Sequence, residues 1–171
     1  NITVSGGMVR LSGLSGTYSA LGTLFSSPVT PATLSSWDTV LYQANVPLNT
    51  SILVRVYDVT SSSTPTLIPE AVLPGNSAGF IPGHFSLKTL DTSVYASLVL
   101  GATLTTSNPA VTPELSSWIL AYTESQTYIA SVPFSLTSAK TIGTTLSALP
   151  VYKYQQSHVT DGTGDIKISD L

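Results

Sequence analysis

The sequence of 171 residues contains no cysteine. This absence excludes a disulfide framework, a metal held by cysteine and a thiol nucleophile. Stability must therefore come from a hydrophobic core rather than from covalent cross-links. The chain is long enough and, at 42% hydrophobic residues, apolar enough to build such a core.

Charge is also scarce, because only 9% of the residues are charged, against roughly 25% in an ordinary soluble domain. Serine and threonine take the surface role that lysine and glutamate usually have. The six basic residues are scattered and form no patch, which argues against nucleic acid as a partner. Such a composition suits an extracellular β-protein, so we expect the chain to lie outside the cell or at its surface.

Long apolar runs are missing as well, since no stretch approaches the roughly 18 residues that a membrane-spanning helix needs. Helical periodicity of apolar residues is absent, and apolar and polar residues alternate instead. The sequence therefore predicts an all-β protein with no membrane span. Because the chain begins at Asn1 rather than at methionine, we expect either a removed leader or a fragment of a larger protein.

The clearest strand pattern lies between residues 94 and 122. Apolar residues recur at every second position in its first part: Ala96, Leu98, Leu100, Ala102 and Leu104. A polar turn at residues 107–109 ends this run, because proline has no N–H to give to a sheet. A second strand then carries Leu115, Trp118, Leu120 and Tyr122. The pattern predicts two strands joined by one turn.

Two further strands are predicted at residues 37–45 and 51–59, with a turn at 46–50. β-Branched and aromatic residues dominate both runs, and the short turn favours a hairpin. Strict alternation places Val40 and Tyr42 on one face of the first strand and Trp37 on the other.

Residues 30–37 and 112–118 resemble one another, since both end in Leu-Ser-Ser-Trp and lead into a strand. One interpretation is that turns rich in proline and threonine simply look alike before strands. The alternative is that the two strands lie side by side in one sheet, with Trp37 and Trp118 at the same end of the core.

The character of the sequence changes near residues 123–127, which divides the chain into residues 1–125 and 126–171. Short strands are predicted in the second part at residues 128–136, 140–142, 151–154 and 166–168. Residues 68–82, in the first part, form a long loop rich in proline. We expect this loop to be ordered by Leu73, Phe80 and Ile81, and long loops often carry binding sites.

The first part resembles the jelly-roll sandwich modules that are repeated in large bacterial surface and secreted proteins. The resemblance rests on LSSW at 34–37, SILVRVYD at 51–58, LPGNSAGF at 73–80 and TPELSSWILAY at 112–122. It implies a jelly-roll β-sandwich. Such modules are similar to carbohydrate-binding jelly rolls, and many serve as spacers.

The second part resembles the start of a carboxypeptidase-regulatory-like, or transthyretin-like, β-sandwich. The matching segments are PVYKY at 150–154 and TDGTG at 160–164, followed by Ile166, Ile168 and Leu171. In that family more chain follows, so the resemblance implies an incomplete second sandwich. Its edge at Ile166, Ile168 and Leu171 would then be covered by a further segment or by a neighbouring subunit.

Several residues are candidates for binding or modification. Aromatic rings can stack on sugars, and the candidates are Trp37, Tyr57, Trp118 and Tyr122, although such residues more often pack in the core. Asp161 and Asp165 flank a glycine-rich turn that could hold a structural Ca²⁺, although Asp-Gly is first a turn signal. Asn1 and Asn49 begin matches to the N-glycosylation pattern.

The two histidines, His84 and His158, lie in no recognisable catalytic or metal-binding motif. No other cofactor is indicated. The sequence therefore predicts a non-catalytic, extracellular structural protein, exposed at a cell surface or built into a filament. Its partners would be neighbouring subunits or tandem domains of the same protein. The alternative is a carbohydrate-binding module that uses aromatic stacking on one face of the sandwich and so binds glycans.

Overall fold

The computed structural model describes residues 1–14, 16–125, 131, 133–137, 141–144, 150–152, 155–159, 161–163 and 165. The chain divides into two compact units, Asn1–Ser125 and Gln126–Leu171. Every regular element within the described residues is a β-strand, and none is a helix. The predicted all-β class is confirmed.

Fifteen strands are present in this part of the chain, numbered here in chain order. They are β1 (Ile2–Ser5), β2 (Met8–Leu11), β3 (Gly13–Leu14), β4 (Thr17–Tyr18), β5 (Leu21–Phe25), β6 (Leu34–Asn45), β7 (Thr50–Asp58), β8 (Thr66–Leu67), β9 (Gly83–Ser86), β10 (Leu98–Thr106), β11 (Glu114–Glu124), β12 (Pro133–Thr137), β13 (Thr141–Thr144), β14 (Pro150–Tyr152) and β15 (Gln155–Val159).

The first unit is a sandwich of two antiparallel sheets. One sheet has five strands in the order β1-β2-β11-β6-β9, and the other has four in the order β5-β10-β7-β8. Their facing sides form one hydrophobic core that includes Leu11, Val40, Ile52, Leu98 and Leu115. Strands β3 and β4 form a separate small hairpin between β2 and β5.

The alternation predicted for β10 holds within the strand, since Leu98, Leu100, Ala102 and Leu104 are all buried in the core. The strand begins at Leu98, so Ala96 lies outside it. Val99 and Gly101 on the opposite face are buried as well, so the strand is covered on both faces between Leu98 and Ala102. A side chain at Gly101 would collide with Tyr57 and Phe25, whose rings lie 2.6 and 2.8 Å from the position of a Cβ.

The predicted hairpin of residues 37–45 and 51–59 is wrong. The two segments form β6 and β7, as expected, but β6 belongs to the five-stranded sheet and β7 to the four-stranded sheet. The segments of the 94–122 region are likewise separated, because β10 pairs with β5 and β7 whereas β11 pairs with β2 and β6. The alternation of side chains identifies a strand and its buried face but carries no information about its partner.

The face predicted for Trp37 is also wrong. The register between β6 and β11 shifts between Leu120 and Tyr122, so that one extra residue of β6 is accommodated before Val40. A β-bulge of this kind reverses the side to which the following residues point. As a result Trp37, Val40 and Tyr42 all face the core, where they are 0–1% exposed.

The two Leu-Ser-Ser-Trp segments lie in neighbouring strands, as one of the two interpretations predicted. Strands β6 and β11 are antiparallel, which places Trp118 opposite Tyr42 and Trp37 opposite Tyr122. The two tryptophans therefore lie toward opposite ends of the strand pair, and the expectation that they share one end is wrong. The antiparallel direction is the reason, because it reverses one copy of the motif relative to the other.

The second unit contains two strand pairs, β12 with β15 and β13 with β14. Strands β12, β13 and β14 overlap three of the predicted segments. Strand β15 lies partly in a stretch that was predicted as a turn. The predicted strand at 166–168 lies outside the described residues.

Candidate functional site

Strand β5 forms one edge of the four-stranded sheet, and among the residues that the structure describes this edge is open. Within the described residues, β5 pairs only with β10. The backbone N–H of Ser26 donates to Leu100 O at 2.8 Å, and that of Thr106 donates to Ala20 O at 3.0 Å. Because antiparallel strands bond at every second residue, the odd-numbered residues of β5 direct their N–H and C=O groups away from β10.

The side chains along this edge are uncharged and partly apolar. Leu21 is 53% exposed and Phe25 is 54% exposed, with the exposed Thr23 between them. Natural sheet edges are usually protected from further pairing by charges, proline, bulges or very short strands. Strand β5 has five residues, contains neither a charge nor proline, and keeps a regular register with β10.

A pocket of about 240 Å³ opens between the sheets beside β5. Its apolar wall consists of Val9, Leu24, Leu115 and the half-buried Trp118. Gly7, Ser116 and Ser117 complete the lining. Leu24 comes from β5 and Trp118 from β11, so the pocket adjoins the open edge.

The start of β1 packs against the inner side of β5. A Cβ at Gly22 would lie 2.6 Å from Ile2 Cγ2 and 2.7 Å from Asn1 O, distances that a real side chain cannot adopt. Glycine at this position therefore allows the two edge strands to approach. Val4, farther along β1, is 70% exposed.

The four aromatic candidates for sugar stacking occupy separate places. Trp37 is fully buried, and its Nε1–H donates to Tyr95 O at 2.6 Å. Tyr122 is 39% exposed and meets the Trp37 ring edge-on, with 5.8 Å between ring centroids. Trp118 lines the pocket beside β5.

Tyr57 lies in the other sheet and forms an edge-to-face pair with Phe25, with 5.2 Å between ring centroids. The structure thus brings Trp37 together with Tyr122 and Tyr57 together with Phe25, and it does not assemble the four candidates on one face. Phe25 was not among the predicted residues. Its exposure on an uncharged edge strand is the feature that singles it out, and this exposure depends on sheet order.

The long loop before β9 is held by Asn76, which is completely buried. The Asn76 Oδ1 accepts a hydrogen bond from Val56 N at 2.8 Å. Its Nδ2 donates to Val56 O at 2.9 Å and to Ile68 O at 2.8 Å. This side chain therefore takes the place of a neighbouring strand along part of β7. The sequence contained Asn76 within the LPGNSAGF segment but gave no sign of this role.

Glu70 organises the same loop from outside. Its carboxylate accepts hydrogen bonds from Gly75 N at 2.6 Å, from Ser77 N at 3.0 Å and from Ser77 Oγ at 2.6 Å. The Ser77 hydroxyl, followed by the two backbone N–H groups, lowers the pKa of Glu70 below its ordinary value. Arg55 adds a bond from Nη2 to Ala78 O at 2.9 Å.

The expected apolar anchors of this loop are only partly correct. Leu73 is buried, and Phe80 stacks on Phe85 with 3.7 Å between ring centroids. The Tyr42 hydroxyl donates to Phe80 O at 2.6 Å, and burial raises the pKa of that phenol above its ordinary range. Ile81 is 74% exposed, so it does not anchor the loop.

The turn at Asp161 and Asp165 is built from local hydrogen bonds. Asp161 Oδ1 accepts from Thr163 Oγ1 at 2.6 Å, from Thr163 N at 2.8 Å and from Asp165 N at 3.0 Å. The Thr163 hydroxyl, followed by these backbone groups, lowers the pKa of Asp161. Among the residues that the structure describes, no group of three or more His, Cys, Asp or Glu is placed to hold a metal. The predicted Ca²⁺ at this turn remains a prediction.

His84 is exposed on β9, opposite Leu41 in the register. His158 pairs through its backbone with Phe134 in the second unit. Asn1 and Asn49 are both exposed, and Asn49 adopts a left-handed backbone conformation with φ of 68°. The predicted assembly edge at Ile166, Ile168 and Leu171 lies outside the described residues.

Comparison of the chain with protein-family models, with curated proteins and with solved structures gives no significant match. The part of the chain that the structure describes contains no helix of the length and apolarity needed to cross a membrane.

Proposed function

We propose that the protein is a non-catalytic, extracellular structural protein whose first unit is a jelly-roll module of a tandem array or filament. The strand pairing supports the jelly roll. Of the eight strands β2 and β5–β11, the first pairs with the last, β2 with β11, and the second with the seventh, β5 with β10. The inner pairs are β6 with β9 and β7 with β8. This nested order is that of two interlocked Greek keys wrapped into a double sheet.

The observation that carries the structural role is the position of the two ends of this unit. Asn1 lies near the start of β11. Its O accepts a hydrogen bond from Ser12 N, and the neighbouring Leu11 N donates to Oγ1 of Thr112, which comes just before β11. Ser125 follows the end of β11, where its N–H donates to Thr33 O at 2.7 Å. The chain therefore crosses the unit from one end of β11 to the other.

Strand β11 has eleven residues, and a rise of about 3.4 Å per residue separates its ends by roughly 35 Å. A module whose two ends lie at opposite sides lengthens a row of modules that are joined end to end. A module whose two ends lie close together projects sideways from such a row. The low proportion of charged residues and the abundance of serine and threonine are the further support for a place outside the cell.

Electron microscopy of the isolated protein, with mass spectrometry of its intact mass, tests this function. Filaments that repeat a subunit of about 17.9 kDa, or a longer chain of similar beads, are the expected result. Labelling of intact cells with a reagent that cannot cross membranes should modify the protein. A protein that is protected from this label until the cells are broken would contradict the extracellular role.

A second candidate function is carbohydrate binding at the Trp118 pocket. The pocket is lined by the aromatic side chain of Trp118 and by Ser116 and Ser117, and sugar-binding sites combine aromatic and hydroxyl groups in this way. A glycan array with the full chain tests it. Binding that is lost in Trp118→Ala and kept in Tyr122→Ala would support this site, and the absence of binding to any glycan would reject it.

A further inference from the structure

We infer that the open edge of β5 is a self-association site, at which two copies of this chain pair their β5 strands antiparallel across a two-fold axis. This inference is independent of the proposed function, since a dimer of this kind could form in any setting. It rests on the direction of the free backbone groups, on the spacing of the side chains along β5 and on the absence of charge.

The outward N–H and C=O groups of β5 are complementary to the same groups of β5 in a second copy of the chain. Leu21, Thr23 and Phe25 direct their N–H and C=O groups outward, as the bonds between the alternate residues and β10 require. In an antiparallel pair centred on Thr23, Leu21 of one copy lies opposite Phe25 of the other. All three positions then form hydrogen-bonded pairs, each exchanging two N–H···O bonds. A two-fold interface needs this self-complementarity.

The side chains match in the same register. Leu21, Thr23 and Phe25 lie on the outer face of the four-stranded sheet, opposite Thr105, Thr103 and Gly101 of β10. Pairing would bring the exposed Leu21 of one copy beside the exposed Phe25 of its partner on both sides of the axis. Apolar cross-strand pairs of this kind stabilise antiparallel sheets, and both side chains would lose exposed area.

We assign a second copy of this chain to the β5 edge, because the edge carries no charge that would repel an identical edge. Strand β5 has no charged residue, and its neighbour β10 has none either. The opposite edge of the same sheet is β8, which has only two residues. It is further occupied by the Asn76 side chain and by the bridge between Val54 and Phe80. Among the described residues, this sheet is thus covered at its β8 edge and open at its β5 edge.

Sedimentation velocity of the full chain, from micromolar to about 100 µM, tests the inference. We expect a discrete dimer whose formation depends on concentration. Thr23→Lys places two like charges face to face at the axis, which should weaken the dimer at least about tenfold. Thr23→Glu should have the same effect, and an equimolar mixture of the two variants should restore dimers.

The matched control is Thr66→Lys, which changes an exposed threonine on β8, the far edge of the same sheet. Its dimer should be unchanged. Circular dichroism and thermal melting establish that each variant is folded, since position 23 is exposed. A wild-type protein that stays monomeric at 100 µM would overturn the inference, and so would a dimer that survives Thr23→Lys.

A cross-linking experiment fixes the register. The chain has no cysteine, so Thr23→Cys introduces a single thiol. Opposed residues of a hydrogen-bonded antiparallel pair have Cα atoms about 5.5 Å apart, within the range of about 4.4–6.8 Å that a disulfide spans. Mild oxidation should give a covalent dimer with Thr23→Cys and much less with Thr66→Cys. Equal cross-linking of both variants would show random collision and contradict the inference.

Discussion

The side chain of Asn76 forms hydrogen bonds with both backbone groups of Val56, accepting from N at 2.8 Å and donating to O at 2.9 Å. A buried amide thus continues the sheet where no strand does, and it fastens the loop after β8 to β7. The polar atoms of Asn76 are buried with all of these bonds made, which is the condition under which a polar group stabilises a core.

Replacement of this asparagine should therefore be costly. Asn76→Ala leaves Val56 N and Ile68 O buried without the amide that pairs with them, whereas Val56 O keeps its hydrogen bond from Ile68 N at 3.2 Å. We expect a loss of about 2–4 kcal/mol in the free energy of unfolding. Chemical denaturation of the variant measures this value. Asn45→Ala replaces an exposed asparagine and should change the free energy of unfolding little. A loss for Asn76→Ala as small as the loss for Asn45→Ala would contradict the role assigned to Asn76.

The carboxylate of Glu70 should make the same loop sensitive to acid. Its contacts lower its pKa below the ordinary value of 4.5, so their stabilisation is fully present above about pH 4.5. It is lost as the pH falls through the lower pKa of the folded protein. The amide resonances of Gly75 and Ser77 in NMR spectra should follow this titration. A midpoint at or above 4.5, or an unchanged titration in Glu70→Gln, would contradict this account.

Fluorescence should separate the two tryptophans, which are the only ones in the chain. Trp37 is fully buried, whereas Trp118 lines an open pocket. Trp118→Phe, which retains Trp37, should emit at shorter wavelength and be quenched severalfold less by acrylamide than Trp37→Phe. Similar quenching of both single-tryptophan proteins would show that Trp37 is not enclosed by the core.

The contact between β1 and β5 should depend on the lack of a side chain at Gly22. Gly22→Ala forces a methyl group against Asn1 O and Ile2 Cγ2, and overpacking of this kind costs about 1–3 kcal/mol. We expect faster hydrogen exchange in β1, measured by mass spectrometry, together with a lower melting temperature. Gly162→Ala serves as the control, because no atom of the described residues lies within 4 Å of a Cβ at that position. Unchanged exchange in β1 would show that the strand can move aside.

The positions of the long strands were predictable because alternation of apolar and polar residues is a local property. Residues 51–59 were predicted as a strand, and β7 spans Thr50–Asp58. The inward face of β10 was also predicted, although Ala96, which was assigned to the same face, lies before the strand. Alternation fails at Trp37, because a single extra residue before Val40 reverses the pattern and leaves no mark in the sequence.

The candidate sites were less predictable. The sequence identified Trp118 and Tyr122 as aromatic residues but could not say that one lines a pocket and the other packs on Trp37. It could not identify Phe25 or Asn76 at all. Exposure of the first and burial of the second both follow from which strand lies at the edge of which sheet.

The sequence by itself determined the all-β class, the reliance on a core without disulfides and the residues of β10 that face this core. Each of these follows from composition or from the two-residue period of a strand. The tertiary structure alone decided that β6 and β7 lie in different sheets, that Asn76 replaces a strand and that β5 lies at the edge of its sheet. Strand pairing joins residues far apart in the chain through backbone groups that every residue shares, so side-chain identity specifies the face of a strand but not its neighbour.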